Sequence, residues 1–142
     1  MTATTPPLPR VYCASKLRHS FMWRNWRSGL SCISIVSTWH DDPDVEAKEA
    51  DPHACMMGWR TNRLQILHMT DHLLVYGNKY DALNGTLTEV GMAMAMAIPI
   101  HLVGTYPWAS WRHFDGVTVH DSLDAALTSI VSYTPIEPEN SP

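Results

Sequence analysis

Apolar and polar positions along this chain follow two rhythms. Short apolar runs bounded by Gly, Pro or polar residues predict strands at Arg10–Ala14, Ser31–Ser37, His72–Tyr76, Ile98–Val103 and Val117–His120. Longer amphipathic stretches predict helices at Leu17–Ser28, Pro52–Met69, Thr86–Ala97 and Ser122–Ser132. The run after Asp71 is apolar almost throughout, as expected of a strand buried on both faces. Strand-helix alternation in so short a chain predicts an α/β fold, a Rossmann-like or flavodoxin-like parallel sheet of about five strands with helices on both faces and right-handed crossovers. Met92, Met94 and Met96 alternate with alanines, but their place in a helix makes them gap-filling core residues.

A parallel sheet binds its ligand beyond the carboxyl ends of its strands. That rule selects Ser15 and Lys16 after the first strand, Trp39 to Asp42 after the second, and Gly77 to Thr86 after the third, and predicts one shared rim. The Pro-rich first nine residues and the tail 135–142 predict flexible ends around a single domain at 10–134.

Composition narrows the function. A chain of 142 residues holds one domain, and 45 % hydrophobic against 17 % charged residues excludes disorder along its whole length. Ten Lys and Arg against fourteen Asp and Glu leave a net charge of −4, which argues against a nucleic-acid polymer as partner and leaves a small nucleotide open. Cys13, Cys32 and Cys55 have no CxxC spacing, so neither a disulfide framework nor a zinc site is indicated. The N-terminus lacks a signal-peptide core, and Pro99 and His101 interrupt the longest apolar tract, so a cytoplasmic protein without a membrane partner is expected.

The candidate chemistry lies at Asn84-Gly85-Thr86-Leu87-Thr88-Glu89-Val90-Gly91, where a strand-end loop enters a helix. Backbone amides at Gly85 and Thr86, near the positive end of the helix dipole, favour anionic or polar substrate atoms. Glu89, placed in the first helical turn, has two readings. Thr86 and Glu89 match S/T-x-x-E, the capping box in which the carboxylate bonds a backbone amide; the other reading is catalytic.

Tyr12-Cys-Ala-Ser15, Asp71 before Leu-Leu-Val-Tyr76, and Gly85-Thr86-x-x-Glu89-x-Gly91-x-Ala93 followed by Ile98-Pro99-Ile100 resemble the nucleoside 2-deoxyribosyltransferase family and its nucleotide N-glycosidase relatives. The likeness covers most of residues 10–130 and extends to phage-encoded proteins with a Trp followed by a His in the late loop, as Trp111 and His113 stand here. It implies a Glu89 nucleophile that attacks the anomeric carbon of a deoxyribonucleoside or its 5′-monophosphate, with no cofactor, in a homo-oligomer whose subunits complete one another's sites. A second base then accepts the sugar in a transferase, and water in a hydrolase. The family's Asp six residues before the nucleophile is replaced here by Leu83, which leaves Asp81 as the nearest carboxylate for the sugar or the leaving base. A nucleotide-binding module without catalysis is the reading from another class.

The remaining candidates bind substrate. Tyr12 belongs to the first-strand motif. Ser15 and Lys16, with Arg18 and His19 beyond them, can receive a phosphate, although the latter two also fit a solvated helix face. Trp39 can stack on a base and Asp41 can bond its edge. The Trp39-His40-Asp41-Asp42 cluster lacks the spacing of a metal site. Trp23, Trp26 and Trp59 read as core or subunit contacts, and Trp108 and Trp111 as a cover over the substrate or a contact with another subunit.

Overall fold

The computed structural model describes residues 6–135, so most of both expected flexible ends lies outside the described residues. Five strands, β1 (Arg10–Ala14), β2 (Ser34–Ile35), β3 (His72–Tyr76), β4 (Ile100–Val103) and β5 (Val117–His120), form one sheet in the order β2-β1-β3-β4-β5. Every pair is parallel. This is the flavodoxin-like arrangement, whose strand order reverses between β1 and β3 and opens a crevice at their carboxyl ends.

Helices α1 (Ser20–Arg27), α2 (Val45–Lys48), α3 (Pro52–Met69), α4 (Asn84–Ala95) and α5 (Leu123–Val131) complete the domain. Alternate side chains of the central strands feed two cores. Tyr12, Leu73, Val75, Ile100 and Leu102 pack with Ile66 of α3 and with Val90 and Ala93 of α4. Val11, Cys13, Leu74 and Val103 pack with Trp23 of α1 and with Ala126 and Ile130 of α5. Burial on both faces is why β1, β3 and β4 read as continuous apolar runs.

The structure moves several expected boundaries. The predicted helix Leu17–Ser28 breaks into a 3-10 turn at Leu17–His19 followed by α1. The tighter turn aims Arg18 and His19 together at Asp81. The strand expected at Ser31–Ser37 shrinks to two residues, because the Cys13 amide donates to the Ser37 hydroxyl at 3.0 Å instead of continuing a backbone ladder. The strand expected at Ile98–Val103 begins only at Ile100. Helix α2 arises where only a polar loop was read. Helix α3 begins as its sequence requires, with Pro52 in its first turn and the Asp51 carboxylate accepting from the His53 and Ala54 amides.

Helix α4 starts two residues earlier than the predicted Thr86. It ends in a Schellman turn, with Ala97 at φ 55°, Ile98 N donating to Ala93 O at 2.9 Å and Ala97 N to Met94 O at 3.1 Å. Met92 and Met94 pack against the core as the helical reading required, whereas Met96, at the C-cap of α4, is 49 % exposed and is not a core residue. Gly104 ties the ends of β3 and β4 together. Its φ is +108°, and a Cβ there would lie 2.1 Å from Gly77 O. Among the described residues no helix is long and apolar enough to cross a membrane.

Candidate functional site

A cleft of about 470 Å³ opens beyond the carboxyl ends of β1 and β3, lined on the sheet side by Ser15, Lys16, Thr38, Trp39, Asn84, Gly85, Thr86 and Glu89. The three strand-end loops share this rim. The volume falls within the range of about 300–1,000 Å³ usual for small-molecule sites.

Glu89 lies in the second turn of α4, not the first, because the helix begins at Asn84. That shift removes the capping box, whose Thr must precede the helix, and the residue at the N-cap is Leu83, with no side-chain cap bond. Glu89 is 6 % exposed, faces the cleft, and its Oε2 has no hydrogen-bond partner. Burial pushes its carboxyl up to about 8, against a smaller opposing effect of the Tyr12 phenol. Tyr12 Oη, fully buried on β1, also lacks a hydrogen-bond partner. The two groups face each other closely enough to shift each other's ionisation although neither Tyr12 Oη nor Glu89 Oε2 has a partner within hydrogen-bond distance; burial first, then the Glu89 charge and the polar contact with it, hold the phenol well above its ordinary range. Tyr12 supports Glu89 from the core and does not line the cleft.

The rim is held by fixed contacts. Ser15 Oγ donates to Lys16 O at 2.9 Å and accepts from Trp23 Nε1 at 2.8 Å. Trp39 Nε1 donates to Cys13 O at 2.7 Å, which fixes its indole over the end of β1. The first amides of α4, at Asn84 to Thr86, have no intrahelical acceptors available to them. With Lys16 on the same rim, they form the most favourable place in the cleft for an anion.

Besides Tyr12, two further expected site residues are placed away from the cleft. Asp81 does not line the cleft: its side chain is wholly buried, Oδ2 accepts from Asn78 N at 2.8 Å, His19 Nε2 lies 3.0 Å from Oδ2, and Arg18 bonds Oδ1. Burial alone would raise its pKa, but the Asn78 amide, His19 and Arg18 outweigh that and hold the carboxyl below its usual range. Asp41 turns away to Arg27, 2.7 Å from its Oδ1, with His40 Nδ1 at 3.4 Å. Trp108 is a core residue under Gly77, with Trp111 edge-on to it, so neither covers the cleft.

Sequence reasoning missed the opposite wall, made by α2 and the first half of α3. Lys48, paired with Asp42 at 2.6 Å, stands there with Glu49, Cys55 and Asn62. Trp59, expected in the core or a subunit contact, lines the cleft at 38 % exposure, its indole close enough to Gly85 that a Cβ would meet Cζ2 at 3.3 Å. A signal was present: apolar residues of α3 surround the helix instead of forming one stripe, so more than one face has a role. Among the described residues, no group of three or more His, Cys, Asp or Glu is arranged to hold a metal. Neither protein-family models nor curated proteins yield a match to this chain.

Proposed function

We propose that this protein cleaves the N-glycosidic bond of a 2′-deoxyribonucleoside, or of its 5′-monophosphate, and transfers the sugar to a second base. The observation that carries the reading is the Glu89 carboxyl, buried at the cleft with Oε2 free of any hydrogen bond. A buried carboxyl oxygen left unpaired costs free energy, and groups of this kind gather where they do chemistry.

Chemistry follows from the placement. Once ionised, a Glu89 oxygen bonds to the anomeric carbon as the bond to the base nitrogen breaks; the base departs with the electron pair and takes a proton from water, and the incoming base later returns one to water. The carboxylate stabilises the oxocarbenium-like transition state, as in retaining glycoside hydrolysis. The nitrogen of a second base then attacks the same carbon and releases the carboxylate. Trp39 and Trp59 offer aromatic faces for the base, while Lys16 and the open amides of α4 suit a 5′-phosphate. Asp81, occupied by Arg18 and His19, is left out of the proton transfer. No cofactor enters this scheme. A cytoplasmic setting and a homo-oligomeric state belong to the same reading, the latter supported by Met56 and Leu64 exposed on α3 outside the cleft.

Incubation with a deoxynucleoside and a different free base should yield the exchanged nucleoside. Free base without exchange would assign hydrolysis, the second reading. Glu89→Gln should lower turnover at least about a hundredfold while circular dichroism stays unchanged. Near-normal rates in that variant would remove the nucleophile, and binding without turnover, unaltered in Glu89→Ala, would leave a nucleotide-binding module.

A further inference from the structure

His72, His101 and His120 form a continuous row across three neighbouring strands, far from the chemistry proposed above. His72 Nδ1 lies 3.1 Å from His101 Nε2, and His101 Nδ1 lies 2.9 Å from His120 Nε2. The strand register places all three on the sheet face of Leu74 and Val103, beneath α1 and α5. His72 and His101 are buried, and His120 is partly exposed at the sheet edge.

We propose that these three histidines act as one acid-sensitive lock, neutral and all in the same tautomer, which fastens the β4–β5 edge and is released by protonation.

Hydrogen-bond counting dictates the shared tautomer. A neutral imidazole has one donor and one acceptor nitrogen. If His72 donates from Nδ1, His101 accepts at Nε2, must carry its own proton on Nδ1, and donates to His120 Nε2, so His120 is also protonated on Nδ1. If His120 donates from Nε2 instead, the same logic places every proton on Nε2. Mixed arrangements face donor against donor or acceptor against acceptor at one of the two contacts. The row therefore has two allowed states that convert only together.

Acid disturbs both. A proton on any member sets a charge against an apolar face, and protons on neighbouring members point N–H at N–H. The charged groups around the row are few. Asp71, beside His72, is already paired with Arg10 at 3.0 Å. Asp121 stands beside His120, α5 carries only Asp124, which is exposed, the buried Cys13 lies on β1, and α1 carries Arg24 and Arg27, the latter paired with Asp41. Past α5, Tyr133 sets its ring edge-on to His72, with centroids 4.8 Å apart. Burial, reinforced at His101 by its two neighbours, lowers all three histidines, His101 to about 3.

Two measurements test the lock. Long-range 15N NMR of the ring nitrogens at pH 7.5 should find one tautomer shared by all three, with His101 untitrated near pH 6.5. A mixed set of tautomers, or His101 titrating near that ordinary value, overturns the proposal. Each histidine kept neutral in the fold should raise the unfolding constant about tenfold between pH 7.5 and 5.5, because the unfolded chain takes up the proton. Replacing His101 with Phe should therefore weaken that pH dependence by about tenfold or more in denaturant titrations, while His40, present in both proteins, cancels. An unchanged pH dependence in a folded His101→Phe protein also overturns it, and the NMR measurement stands if that variant does not fold.

Discussion

A carboxyl group taken out of water without a compensating hydrogen bond keeps its proton well into the neutral range, and Glu89 keeps it up to about 8. Attack on a sugar carbon needs the ionised form, so kcat/KM should climb about tenfold per pH unit below about 8 and level off above it; a flat profile between pH 6 and 9 would contradict a Glu89 nucleophile. The same residue strains the fold. Its unfolded form ionises near 4.5 while the folded form holds its proton until about 8, so stability is fully present below the first value and lost as pH rises to the second. Glu89→Gln, which cannot ionise, should be more stable than the parent by a margin growing over that interval, on the order of a few kcal/mol at pH 8.5. Urea titrations at pH 5 and 8.5 measure it. Ser15, Lys16 and Trp39 at the cleft were legible from the rule that ligands gather at strand ends, whereas Glu89 was singled out only by the Gly85-Thr86-x-x-Glu89 motif and the family resemblance. The places of Asp81 and Asp41 were not legible, because pattern places a carboxylate on a loop without saying which cation will claim it: Arg18 and His19 hold one, Arg27 the other.

Between elements, small shifts in where a helix or strand begins decide what its residues do. Two extra residues at the start of α4 move Glu89 from a capping position to the cleft wall, and no local propensity distinguishes Asn84 from Thr86 as the first residue. The brevity of β2 has a similar origin, since a single hydroxyl, that of Ser37, replaces the next rung of the ladder. The close approach of the β3 and β4 ends at Gly77 and Gly104 holds together the bases of the two loops that follow these strands. Gly104→Ala combines a disfavoured φ with a Cβ driven into Gly77 O, and should cost at least about 3 kcal/mol, seen as a large drop in Tm. A loss under about 1 kcal/mol would mean that the two loops separate easily and do not fix the rim.

Across the whole molecule, three layers create a cleft that no single segment contains. One side comes from strand ends and α4, the other from α2 and α3, and Trp59 bridges them by resting on Gly85. A ligand that fills this space should stabilise the fold by about 2.7 kcal/mol at a hundred times its Kd, roughly a 10 °C rise in Tm for a domain of this size. Trp59→Ala, at an exposed position, should leave the unliganded Tm nearly unchanged but cut that rise by about half through a roughly tenfold weaker Kd; an unaltered ligand shift would exclude Trp59 from base contact. The amino-acid pattern by itself determined the layer architecture and the rim, because burial on both faces and strand-helix alternation are local properties of the apolar sequence. Only tertiary structure decided that α3 closes the cleft, that Asp81 is a buried ion-pair partner and that three histidines meet across the sheet. Each depends on residues brought together by strand register and helix packing; the apolar pattern around α3 shows that more than one of its faces has a role, but no periodicity along the chain says which residues meet.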